Sequence, residues 1–175
     1  MEKLEREGRV RIEEGALIPD LLLFSTQGRL VSLKGETKEH HVVLFFYPGD
    51  GEGLRYPELI GCTAEACAFR DHAAKLKALG AVVFGVNLHP TRRQEEFVKR
   101  EHLNFELLSD VNKSLVSMLG IPLWRSPSGE EFVARTTLII KRRGSVVRVF
   151  DNVDPAHHIE EVITVLEKVH GDTVV

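Results

Sequence analysis

A chain of 175 residues, 43% hydrophobic and 28% charged, has the size and composition of one globular domain with a sizeable core. Its formal charge of -3 gives no basic footprint, which argues against nucleic acid or an anionic membrane as the main partner. Met1 to Arg9 is rich in Glu, Lys and Arg without the apolar stretch of a signal peptide, and apolar runs such as Val42 to Tyr47 are too short to span a bilayer. The expectation is a cytoplasmic protein with no membrane partner, one domain over 1–175 with residues 1–15 as a charged N-terminal arm.

The arm reads as an extended segment or an edge hairpin. Leu21 to Ser25 and Leu30 to Leu33 flank Thr26-Gln27-Gly28-Arg29 and predict a hairpin with a glycine turn. Val42 to Tyr47, stopped by Pro48-Gly49, predicts a buried strand. Gly49 to Gly61 is glycine-rich and predicts a long loop, a place where function concentrates. A helix follows from about Thr63 to Leu79, with Ala66, Phe69, Ala73 and Leu76 on one face and Gly80 as its stop.

Ala81 to Asn87 predicts a second buried strand, and Thr91 a cap for a helix running to about His102. Phe105 to Leu108 predicts a short strand; Ser109 or Asp110 can cap a short helix ending near Gly120. Ala134 to Lys141 and Ser145 to Phe150 predict an antiparallel pair turning at Arg143-Gly144. Asp154-Pro155 opens the last helix, with Ile159, Val162, Ile163, Leu166 and Val169 as its apolar stripe. Helices between buried strands imply parallel pairing with right-handed crossovers, and the closing hairpin makes the sheet mixed. The fold class is α/β: a thioredoxin-like fold, a mixed central sheet flanked by helices, with an N-terminal β extension.

The chain has two cysteines, Cys62 and Cys67. Their close spacing suits redox chemistry, and equally suits two small packed hydrophobes. Cys62 sits where the long loop meets a helix. There the unpartnered N–H groups and the helix dipole favour a negative charge, so the thiol is expected to lose its proton more easily than a free cysteine. In a regular helix, positions five apart lie about 140° apart around the axis, with Cα atoms roughly 8.5 Å apart. A disulfide needs less than about 7 Å, so these two sulfurs can bond only if the first turn unwinds. The same rotation keeps Cys62, Cys67 and His72 from converging on a metal, and no metal site is expected.

Gly61-Cys62-Thr63-Ala64-Glu65-Ala66-Cys67-Ala68-Phe69-Arg70-Asp71 resembles the active-site helix of peroxiredoxins, most closely the bacterioferritin-comigratory or Q-type branch or a closely related redoxin subgroup with a longer active-site loop. Phe45-Phe46-Tyr47-Pro48 resembles the strand leading into that site, and Ala134-Arg135-Thr136-Thr137 the strand that carries the family's arginine. The element order agrees from about Ala16 to Val169.

The resemblance implies that Cys62 attacks a peroxide and becomes a sulfenic acid, and that Cys67 condenses with it to a disulfide. It further implies that Arg135 favours the thiolate and the peroxide, that Glu65 orients Arg135, and that thioredoxin or a similar thiol reductant reopens the disulfide. Gly61, Thr63, Tyr47 and Pro48 are expected to support the site. No cofactor is needed, and the branch contains monomers and homodimers. The runner-up functions are a thiol-disulfide oxidoreductase or a redox sensor on the same fold.

The sequence departs from the family pattern before Cys62. Leu59 stands where the family has Thr or Ser, and leucine makes no hydrogen bond. Arg55 stands where the family has proline, and the loop is longer; either Tyr56, Arg55 or Thr63 stands in for the missing hydroxyl or peroxide is handled more slowly, and Pro57 is a candidate for the proline. Trp124 reads first as simple packing, with a place lining the pocket or a partner surface as the alternative. His40-His41 and His157-His158 read as solvated pairs, because adjacent side chains point apart. Lys141-Arg142-Arg143 reads as a charged turn.

Overall fold

The computed structural model describes residues 2–4, 11–50 and 61–173. Its strands are β1 (Glu2–Leu4), β2 (Leu22–Ser25), β3 (Leu30–Ser32), β4 (His41–Phe46), β5 (Ala81–Asn87), β6 (Glu106–Ser109), β7 (Leu123–Arg125), β8 (Glu131–Val133), β9 (Thr136–Ile140) and β10 (Val146–Asp151). Its helices are α1 (Leu33–Glu36), α2 (Cys62–Asp71), α3 (Ala73–Ala78), α4 (Thr91–Glu101), α5 (Ser114–Leu119) and α6 (His158–Thr173).

Seven strands form a mixed sheet in the order β10-β9-β4-β5-β6-β2-β3. The pairs β4–β5 and β5–β6 are parallel, and β9 runs antiparallel to β4. The strand period of two sorts β4 onto two cores. Val42, Leu44 and Phe46 pack with α1 and α5 residues such as Leu33 and Leu115. Val43, Phe45 and Tyr47 pack with Cys62 and Phe69 of α2, Phe97 of α4 and Ile159 of α6. Cys62 thus belongs to the second core, above the carboxyl ends of the parallel strands, where open α/β sheets keep their sites.

The thioredoxin-like plan holds, and several local expectations change. The helix expected over 63–79 is broken at His72, whose Nδ1 lies 2.8 Å from the Ala68 carbonyl oxygen. The last helix starts at His158 rather than Pro155; residues 155–157 form a turn, with the His158 N–H donating to the Asp154 carbonyl. Thr91 is the first helical residue of α4, and the cap position falls to Pro90, which offers no side-chain hydrogen bond. The segment Leu123–Val133 carries an unexpected hairpin, β7–β8, to which β1 adds a third strand.

The N-terminal arm is not a free extension where it is described. β1 pairs with β7, the Ile12 N–H donates to Leu119, and Arg11 pairs with Asp151. The histidine pairs also differ from the solvated reading. His41 is buried and its Nδ1 accepts the Arg142 N–H at 3.0 Å; His158 is buried edge-on against Phe69 and Phe150. Lys141, Arg142 and Arg143 are exposed, as expected of a charged turn, with Arg143 and Gly144 at φ of 76° and 93°. Among the described residues, no helix is long and apolar enough to cross a membrane.

Candidate active site

β4 delivers Tyr47, Pro48 and Gly49, all buried, to the mouth of the site. The described chain resumes at Gly61, whose φ of 101° lies in the left-handed region that glycine tolerates best. A Cβ on Gly61 would stand 2.7 Å from Pro155 Cγ and 3.7 Å from Arg135 Nη2, so the close approach of the 155–157 turn also demands glycine. The Gly61 carbonyl accepts the Glu65 N–H at 2.9 Å and starts α2, with Cys62 as the first helical residue.

Cys62, Glu65, Ala66 and Phe69 are the buried residues of α2, at the three- and four-residue spacings that share a helix face. Arg135, just ahead of β9, reaches that face. Its Nη2 donates to Cys62 Sγ at 3.1 Å and its Nη1 to Glu65 Oε2 at 2.8 Å. The arginine side chain is 11% exposed and that of Glu65 1%, so this ion pair is shielded from solvent.

Burial pushes the Cys62 thiol above its ordinary range. The Arg135 guanidinium and the Gly49 backbone N–H pull it down, the Glu65 carboxylate pushes it up, and burial prevails. This corrects the expectation of an easily lost proton: the helix start is present, but the sulfur is fully enclosed. Burial likewise lifts the Glu65 carboxyl to about 7, against the pull of Arg135.

Tyr47 is fully enclosed as well, with its ring against Phe45 and Phe97 and its hydroxyl without a hydrogen-bond partner among the described residues. Burial drives the phenol well above its usual range, and the neighbouring Cys62, Asp50 and Glu65 add to that. Pro48 and Arg135 line a cleft of about 250 Å³ together with Trp124, Val133 and Val153. Trp124 thus borders the cleft, the alternative reading of this residue rather than simple packing.

Cys67 is half-buried, and both cysteines are free thiols. They occupy one continuous helix, which puts their Cα atoms beyond disulfide reach until a turn opens. The Cys67 thiol donates instead to Glu101 Oε2 at 3.7 Å. Thr63 is half-buried one position round the helix from Cys62. Leu59, Arg55, Tyr56 and Pro57, and most of the Gly49 to Gly61 loop, lie outside the described residues.

The structure thus gathers Cys62, Glu65, Arg135, Gly61, Pro48 and Tyr47 and leaves Cys67 on another side of α2. Glu101 and Pro155 were not foreseen. Each meets its partner across a long stretch of chain, and neither carries a local sequence signal.

A thiol bonded to a guanidinium, on a thioredoxin-like sheet, places the protein in the class of thiol-based redox enzymes. The AhpC/TSA family matches residues 15–149. A Coxiella burnetii protein described as peroxiredoxin bcp is 31% identical over 154 residues, covering 87% of this chain and 97% of that one. The chloroplastic peroxiredoxin Q of Oryza sativa subsp. japonica is 34% identical over 160 residues, covering 90% and 68% respectively. Among solved structures, peroxidoxin BcpB of Mycobacterium tuberculosis superposes with a TM-score of 0.79 at 27% identity, over 91% of this chain and 99% of that one. The chain belongs to the AhpC/TSA family, and it is a thiol-dependent peroxidase of the peroxiredoxin kind.

Proposed function

We propose that Cys62 is the sulfur that reduces the peroxide and that Cys67 is its disulfide partner. The observation that carries this is the fork of Arg135, one nitrogen on Cys62 Sγ and the other on Glu65. The Cys62 thiolate attacks the terminal oxygen of a hydroperoxide, and the O–O bond breaks. The leaving alkoxide or hydroxide takes up a proton, and Cys62 is left as a sulfenic acid. Arg135 lowers the thiol and meets the charge that develops on the oxygen, with Glu65 holding its geometry. A polar peroxide reaching the sulfur from the cleft lessens the burial that holds the thiol up.

Cys67 then attacks the sulfenic sulfur after the first turn of α2 opens, and water leaves. Thioredoxin or a similar dithiol takes the disulfide back to two thiols. Gly61 permits the tight start of α2, Pro48 lines the approach to Arg135, and Tyr47 offers a buried hydroxyl beside the sulfur. Thr63 supports the first turn of α2. The working setting is the cytoplasm, as a single domain.

Stopped-flow mixing with hydrogen peroxide tests the assignment. Wild type should lose two thiols per peroxide, and Cys62→Ser should lose none at a comparable rate. Unchanged turnover in Cys62→Ser would overturn it.

A further inference from the structure

Helix α4 holds the chain on both sides of Cys62. Before it, Arg93 donates to the two oxygens of Asp50 at 2.8 and 3.1 Å, and Arg100 donates to the Asp50 carbonyl. After it, the last turn of α4 grips the second half of α2. Arg70 Nη1 donates to the Glu101 carbonyl at 2.5 Å, and Cys67 Sγ lies 3.7 Å from Glu101 Oε2. The other Glu101 oxygen accepts from Arg100 Nε at 3.1 Å, which fixes the carboxylate's orientation.

We propose that Glu101 is a positioning residue for the second half-reaction: its carboxylate keeps Cys67 docked on α4 as a protonated thiol while Cys62 meets peroxide, and breaking that S–H···O contact releases Cys67 to form the disulfide. This rests on the reading of Cys67 as the disulfide partner.

The chemistry follows from charge. A carboxylate against a thiol disfavours the thiolate and stabilises the S–H that donates to it. The groups facing Cys67 are Arg70, Glu101 and Asp71. Burial raises the thiol most, Arg70 opposes, and the Glu101 charge and hydrogen bond and the Asp71 charge add to the rise. Held as a thiol, Cys67 is a poor nucleophile and is spared by the peroxide. When the turn opens, the sulfur leaves the carboxylate and ionises more readily. It then attacks the Cys62 sulfenic sulfur; the S–O bond breaks, and the departing hydroxide leaves as water with the proton that Cys67 gave up.

The test is Glu101→Gln, which keeps the shape and removes the charge, with Glu101→Ala as a second variant. In a Cys62→Ser background, the pH midpoint of Cys67 alkylation by iodoacetamide should fall by about one unit, or roughly tenfold more thiolate at a given pH. With Cys62 present, rapid quenching after one equivalent of hydrogen peroxide should show the disulfide forming several-fold faster relative to sulfenic acid. An unchanged midpoint overturns the proposal. So does a slower disulfide step, which would make Glu101 a proton acceptor instead of a hold. The alkylation arm uses no peroxide, so it is decided even if Cys62 proves unreactive and the peroxidase assignment itself fails.

Discussion

Arg135 touches Cys62 Sγ at 3.1 Å with one nitrogen and Glu65 at 2.8 Å with the other, so one planar group couples a thiol on the first turn of α2 to a carboxylate one turn along. A fork in that geometry does what a point charge does not: it serves both partners without turning.

Replacing Arg135 with methionine removes the largest contact that lowers the Cys62 thiol. The peroxide step at pH 7 should slow by about 100-fold or more, the scale for losing a donor at a developing oxygen charge. Arg135→Lys should lie between the two, because one ammonium does not span both partners in this geometry. Second-order rates from stopped-flow measurements check the order wild type, lysine, methionine.

Tyr47→Phe should split stability from activity. Among the described residues the buried hydroxyl has no partner, so deleting it should stabilise the fold by about 1–2 kcal/mol. The same deletion should slow the reaction of Cys62 with peroxide, because it removes a polar group next to the sulfur. Denaturant melts and peroxide rates on one preparation read the two effects together.

His158 predicts acid lability. Burial holds its imidazole down at about 4, against an ordinary value of 6.5. Above pH 6.5 both folded and unfolded forms are neutral, and the histidine contributes no pH dependence. Between 6.5 and 4 the unfolded chain takes up a proton that the folded chain refuses, so stability falls as pH drops, by up to about 3 kcal/mol. His158→Phe, which keeps the edge-on packing against Phe69 and Phe150, should flatten that part of a pH–stability curve measured by urea unfolding.

The sequence made the central architecture readable because its signals are local. Val42 to Tyr47 is an uninterrupted apolar run, and Arg143-Gly144 is a turn whose dihedrals follow from its residues. Cys62 and Cys67 stood out because they are the chain's two cysteines, and Arg135 because its segment resembles the strand that carries the family's arginine, although β9 itself begins one residue later. What escaped is what the chain assembles at a distance. The thiol's environment depends on enclosure by several elements, so a rule based on the helix start alone gave the wrong direction for Cys62.

The buried histidines escaped for the same reason. Adjacent side chains do point apart, which predicts that one of each pair faces inward as readily as that both face solvent. In the structure His41 and His158 are the inward members. The β7–β8 hairpin uses strands of three residues, too short for a period of two to show, although Ser126-Pro127-Ser128-Gly129 between them carries a turn composition.

The most direct measurement is mass spectrometry of Cys67→Ser after one equivalent of hydrogen peroxide. The protein should gain the mass of a single oxygen, located on the peptide that begins the helix at Cys62. A protein of unchanged mass, or an oxygen found elsewhere, would contradict the account.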